Sequence, residues 1–193
     1  MLKPAWGDME GMWRRKSMSG FLKWFERKFS TSNEAASGAE LVFAPNTSIP
    51  YRPTLIDDLK SDHQQLGSIF AELVAATNAG KRKETKKALD QFEGLLYEHL
   101  LKEKISFYIY LRGIFSQDEG TLELVNYFSR EMDGIQREVM KFLRKYRESS
   151  LSPSELSEMS HELNGLGKAL TNRIKREEAQ LYPLYMPPSA VGQ

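Results

Sequence analysis

Residues 170–185 read LTNRIKREEAQLYPLY. Leu170, Ile174, Leu181 and Leu184 recur at helical spacing, so the stretch is predicted as an amphipathic helix with one apolar face. Arg173 and Glu177 lie on that same face, four residues apart. Charged side chains on a buried stripe are costly unless they find partners. This face therefore either lines a site or carries an internal ion pair.

Three further helical patterns precede it. The first is predicted over 54–78, with Thr54 as N-cap and Leu59, His63, Leu66, Phe70 and Leu73 on one seam. Asn78-Ala79-Gly80 stops it. The second spans 82–112 on Leu89, Phe92, Leu96, His99, Glu103, Ser106 and Tyr110. The third spans 121–148 on Val125, Phe128, Met132, Ile135, Val139, Phe142 and Tyr146. The fourth spans 153–182 and begins at Pro153, a residue suited to a first helical turn. Seams alternating three and four residues, joined by short loops, specify an all-α, up-down-up-down antiparallel four-helix bundle over 54–185.

Composition narrows the rest. The chain has 193 residues, which suits one domain plus an appendage. A net charge of +1 argues against a general nucleic-acid binder and leaves room only for a local basic patch. The absence of cysteine excludes disulfides, zinc–thiolate sites and a cysteine nucleophile. There is no apolar run of the roughly 18 residues that a membrane span needs. Nor is there a signal-peptide pattern, so a cytoplasmic location is expected.

Residues 1–53 are expected to form an N-terminal extension. Residues 1–17 look irregular, and Met18 is as good a start as Met1. A short helix is predicted over about 19–29, where Phe21, Phe25 and Phe29 recur every fourth residue with Trp24 beside them. Such a stripe docks onto its own domain, onto a second copy in a homo-oligomer, or onto a membrane surface. Residues 30–53 have linker composition, including Pro45, Pro50 and Pro53, with Leu41 to Phe43 packing locally. Residues 186–193 form a tail.

Ionisable residues interrupt the apolar seams at one height. His63 lies about nine residues into its helix and His99 about thirteen from its exit at the same end. Met132 lies about eleven in and Arg173 about eleven from its exit. At about 1.5 Å per residue these agree within about one turn. One layer of the bundle would then hold His63, His99, Glu103, Arg173 and Glu177, with Met132 as the third helix's member. Histidine and carboxylate on facing helices are how bundle cores hold metals.

The element His99-Leu-Leu-Lys-Glu103, with His63 after Asp62 and with Arg-Glu-Glu-Ala-Gln-Leu-Tyr-Pro at 176–183, resembles the hemerythrin-like, or HHE cation-binding, family over about 54–185. The resemblance implies a His-x-x-x-Glu element on the last helix and a histidine on the third. Here Arg173 takes the final histidine's place, and Met132 stands where the third-helix histidine is expected. His63, His99, Glu103 and Glu177 remain, enough for one metal ion but not for an ordinary di-iron site. A second resemblance runs through Leu166-Gly167, Leu170, Arg173-Ile174, Glu177-Glu178 and Leu181, with shorter matches at Leu55-Ile56-Asp57 and Gln64-Gln65-Leu66. These are similar to the Rsd/AlgQ family of sigma-factor regulators, which implies a sigma factor as partner.

Two readings of the layer follow. In the first, the guanidinium of Arg173 stands between Glu103 and Glu177 as a fixed internal cation, and no cofactor is bound. In the second, a single iron or other divalent ion is bound, and Arg173 reaches away to the surface. His161 lies off its seam and is expected at the surface. Within Phe107-Tyr108-Ile109-Tyr110, regular helical geometry cannot turn Phe107 and Tyr108 inward together, so part of the run is expected to form a contact surface. The basic stretch Lys81-Arg82-Lys83 with Lys86-Lys87 reads as a solvated first turn, or else as a contact for an acidic partner. No nucleophile–base pair, phosphate-binding glycine loop or Gly-x-Ser-x-Gly is present. The expectation is a non-enzymatic regulatory bundle that binds a protein partner. The alternative is an iron-binding sensor of oxygen, nitric oxide or iron.

Overall fold

A computed structural model of the chain describes residues 41–190. The predicted helix at 19–29, with Phe21, Trp24, Phe25 and Phe29, lies outside the described residues. The described residues are helical throughout, apart from loops and a single antiparallel bridge between Phe43 and Pro50. Helix α1 spans Leu55–Asn78 and α2 spans Arg82–Lys102. The second rod continues through a π-helical turn, Glu103–Tyr108, into α3, Ile109–Ile114. Helix α4 spans Glu119–Glu148 and α5 spans Pro153–Arg176. The last rod continues through a second π-turn, Glu177–Leu181, and a short 3₁₀ turn, Tyr182–Leu184. The helices α1 and α4 each pack against both α2 and α5, which makes a bundle of four rods.

The ends of the rods follow from local chemistry. Gly80 has φ 69°, the left-handed conformation that lets the chain leave α1. Asp118 accepts from the Thr121 amide at the start of α4. Ser152 and Glu155 form a reciprocal capping box at α5, with Pro153 as its first residue. Thr54 stands at the N-cap of α1, but its side chain makes no capping bond and reaches Asp58 instead. Lys86, in the basic stretch, donates to the carbonyls of Tyr146 and Arg147 at 2.6 Å each. It thereby satisfies acceptors at the end of α4 and complements that helix's negative pole.

Both Phe107 and Tyr108 are buried, contrary to the expectation from regular helical periodicity. The π-turn explains this: one extra residue in the turn rotates the following side chains around the axis, so neighbours in sequence can share the inward face. Ile109, not Tyr108, is the exposed member of the run. Residues 41–53, read from composition as the end of a linker, lie against the end of the bundle. Ala44 is buried there, and the backbone amide of Arg52 donates to the Tyr185 hydroxyl at 2.9 Å. The Tyr51 ring stacks on Tyr185, with centroids 5.2 Å apart. Leu41, Val42 and Phe43 remain exposed.

The core is divided in two. One apolar cluster gathers Leu66, Leu96, Leu100, Met132 and Met159 among others. The other gathers Leu59, Phe107, Phe128, Leu181 and Tyr182 among others. On each rod the polar positions fall between members of the two clusters, so a polar layer separates them. Among the described residues no helix is long and apolar enough to cross a membrane.

Candidate functional site

The layer is built from α1, α2, the two π-turns, α4 and α5. Its central side chains are almost removed from solvent: Glu103 is 1% exposed, Arg173 and Glu177 2% each, His99 5% and His63 6%. Charges at such depth must be matched by partners, and most of these are.

Arg173 is the hub. Its Nε donates to Glu177 Oε1 at 2.7 Å, and Nη2 lies 2.5 Å from the same oxygen. Nη1 donates to Glu131 Oε2 at 2.9 Å, and Nη2 donates to the Tyr108 hydroxyl at 2.6 Å. The guanidinium also lies over the Phe128 ring, 4.8 Å from its centroid. Burial alone would disfavour the charged arginine, but Glu177, Tyr108 and Glu103 more than reverse this and hold its pKa above the ordinary value. Arg176 shares Glu131 by donating to the other carboxylate oxygen at 2.5 Å. Burial pushes the Glu131 carboxyl up, yet the two arginines outweigh it and hold the pKa down.

The histidines occupy the other side. The His63 Nδ1 lies 2.9 Å from Glu178 Oε1, while Nε2 faces Glu177 Oε2 at 3.6 Å and the Tyr182 hydroxyl at 3.4 Å. The Tyr182 ring lies nearly parallel to the imidazole, at 9°. Burial, and then the positive charge of His99, lower the pKa of His63; Glu178 and Glu177 oppose them without prevailing. The His99 Nδ1 lies 3.4 Å from Asp62 Oδ2, which also accepts from Lys102 at 2.7 Å. The two imidazole centroids are 4.8 Å apart. Each histidine thus has its Nδ1 engaged by a carboxylate at the edge of the layer.

Glu103 stands apart. Its Oε1 is buried with no hydrogen-bond partner. Burial, then the adjacent negative Glu177, raise its pKa well above the ordinary carboxyl value, and Arg173 offsets this only in part. Burial and the neighbouring carboxylate thus favour the neutral, protonated form of Glu103.

The structure brings His63, His99, Glu103, Arg173 and Glu177 into one layer. Met132 sits in the apolar cluster beside it, and α4 reaches the layer through the preceding residue, Glu131. Glu131 had no role in the sequence reading; Tyr108 entered it only as part of an aromatic run and Arg176 only within the motif at 176–183, neither as a member of the layer. Glu131 lies next to the seam residue Met132, and Arg176 is one helical turn from Arg173; adjacency to a seam was their only signal. His161 is exposed and takes no part. A separate cleft of about 430 Å³, lined by Thr77, Arg82, Pro153 and Ser160 among others, is formed where α1 ends and α5 begins, away from the layer.

A family model described as hemerythrin HHE cation-binding domain matches residues 54–185, well over half of the chain. The chain belongs to the hemerythrin HHE cation-binding domain family. No curated protein and no solved structure matches it. The similarity to Rsd/AlgQ sigma-factor regulators finds no support in these comparisons.

The family is described as cation-binding, and this layer already holds the cationic side chain of Arg173. A guanidinium already occupies Glu177 Oε1 through two nitrogens, and a permanent positive charge repels a dication beside it. Among the described residues, no three His, Asp or Glu side chains are grouped so as to hold a metal ion.

Proposed function

We propose that this protein is a non-enzymatic regulatory bundle that acts by binding a protein partner, with a sigma factor as one candidate. In this reading it works in the cytoplasm without a cofactor, and its di-iron layer is degenerate, Arg173 replacing a ligand. The observation that carries the reading is the saturation of Arg173: four donor contacts, all but the one to Glu131 buried, tie the guanidinium to Glu177, Glu131 and Tyr108. In this reading the layer is a structural element and not a place where a substrate or an ion binds. Its effect on the molecule is then to fix the bundle's geometry, and function falls to the outer surface. The short connections at 79–81 and 149–152 support an up-down-up-down antiparallel order, which would present four helical faces.

The experiment has two parts. Elemental analysis of the purified protein should find less than one equivalent of iron, zinc or manganese. Size-exclusion chromatography with purified sigma factor of the same host should show co-elution. Stoichiometric metal would overturn the degenerate layer; absence of co-elution would remove the sigma factor as candidate.

A second reading, a single-metal sensor of oxygen, nitric oxide or iron, is favoured by two observations. Glu103 Oε1 has no partner, and both imidazoles are anchored at Nδ1, with Nε2 of His63 turned towards Glu177 at 3.6 Å. Bound iron with a spectrum that changes on exposure to oxygen or nitric oxide would establish it.

A further inference from the structure

We propose that the cleft between the end of α1 and the starts of α2 and α5 binds a small organic anion, its carboxylate or phosphate head on Arg82 and its apolar body against Pro153 and Leu156. This site is separate from the polar layer and independent of any protein partner. Thr77, in its wall, lies about 21 Å along α1 from His63 at about 1.5 Å per residue.

The cleft has a volume of about 430 Å³, within the range of about 300–1,000 Å³ that holds small ligands. Its wall is mixed. Pro153 and Leu156 form the apolar side; Asn78, Arg82, Ser157 and Ser160 form the polar side, and none of the lining residues is acidic. The polar side is rich in donors. The Ser160 hydroxyl donates to Asn78 Oδ1 at 2.6 Å, so the acceptor of that amide is used and its two N–H groups remain. The Ser157 hydroxyl is exposed and has no hydrogen-bond partner among the described residues.

Arg82 sets the charge of the ligand. Its side chain is exposed and makes no ion pair or hydrogen bond with any described residue. Arg112, Arg147, Arg173 and Arg176, by contrast, each have an internal partner. The carboxylates at the start of α5 are engaged elsewhere: Glu155 accepts from the Ser152 amide at 2.7 Å, and Glu158 pairs with Lys145 at 2.9 Å. Helix stability does not account for this arginine either, because Lys81, Arg82 and Lys83 open α2, where positive charge opposes the helix dipole. A free guanidinium presents a planar fork that matches a carboxylate or a phosphate. Lys81 and Lys83 beside it add to the potential that draws an anion to the cleft. The apolar wall then selects an anion with a ring or short hydrocarbon body over an inorganic one.

The test is titration of the full, isotope-labelled chain with phenyl phosphate and with benzoate, followed by amide NMR shifts. Phenol and inorganic phosphate serve as the two halves of the ligand. At least one of the organic anions should bind with Kd of about 1 mM or tighter, and the tighter of the two identifies the head group. The shifts should centre on Gly80, Arg82, Ser157 and Ser160 and leave Glu103 and Glu177 unmoved. Phenol and inorganic phosphate should each bind at least tenfold more weakly. Arg82→Gln should weaken binding at least tenfold, and Ser157→Trp, which fills the cleft from an exposed position, should abolish it. Circular dichroism should show both variants as helical as the parent; if Ser157→Trp does not fold, Arg82→Gln decides. Failure of both anions to bind, phenol binding as tightly as either, or unchanged affinity in Arg82→Gln overturns the proposal.

Discussion

Replacing Arg173 by Met removes the charge while retaining a long apolar side chain. The structure sets the size of the effect. Three acceptors lose their donor: Glu177 at 2.7 Å, Glu131 at 2.9 Å and the Tyr108 hydroxyl at 2.6 Å. Glu131 keeps Arg176 at 2.5 Å, so its loss is small. Glu177, 2% exposed, then has no basic group nearer than His63 at 3.6 Å, so its carboxylate carries most of the cost. Breaking a buried pair by removing one partner costs about 3–5 kcal/mol. For a domain of this size, that lowers Tm by roughly 6–20 °C. Replacing Glu177 by Leu as well removes the stranded charge. Exchanging both members for apolar residues is often close to neutral, so the double variant should recover at least about 2 kcal/mol relative to Arg173→Met. Urea denaturation of the parent, both single variants and the double variant, followed by circular dichroism, gives the coupling energy directly. A loss below about 1 kcal/mol in Arg173→Met, or a double variant less stable than either single one, would refute the internal ion pair.

Three further expectations concern the same frame. The raised pKa of Glu103 means that the folded protein holds a proton which the unfolded chain releases above the ordinary value of 4.5. This contribution is complete below that value and is lost as pH rises towards the folded pKa. Glu103→Gln, which stays neutral, should therefore match the parent's pH dependence near pH 4 and lose less stability than the parent towards pH 8; parallel curves would contradict this. His63 has the opposite sign. Its folded pKa lies below the ordinary 6.5, so its contribution is present above 6.5 and is lost as pH falls. His63→Gln should flatten the acid limb of the stability profile, and an unchanged limb would refute burial of the neutral ring. A Cβ at Gly113 would stand 2.9 Å from Ala44 Cβ, 3.0 Å from Thr47 Cγ2 and 3.1 Å from the Pro45 carbonyl oxygen. Gly113→Ala should cost about 1–3 kcal/mol and open residues 41–53 to limited proteolysis; unaltered cleavage would show that the loop does not rest on α3.

Sequence alone determined the rods. Periodic Leu, Phe and Val positions leave one apolar stripe per segment, and Gly80 and Pro153 mark where segments stop or start. These signals are local, lie within a few residues, and are set by backbone geometry and burial. The family was legible for the same reason, since His99 and Glu103 are four apart on one face. What sequence could not decide was which side chains meet. The π-turns that begin at Glu103 and at Glu177 are invisible to a regular period, yet the first turns Tyr108 inward to the guanidinium. Glu131 was passed over for its seam neighbour Met132, because a seam names the residues facing the core and not those reaching in from its edge. The partners of Arg173 lie 42 and 65 residues away in the chain, and only the packing of the rods brings them within hydrogen-bonding distance.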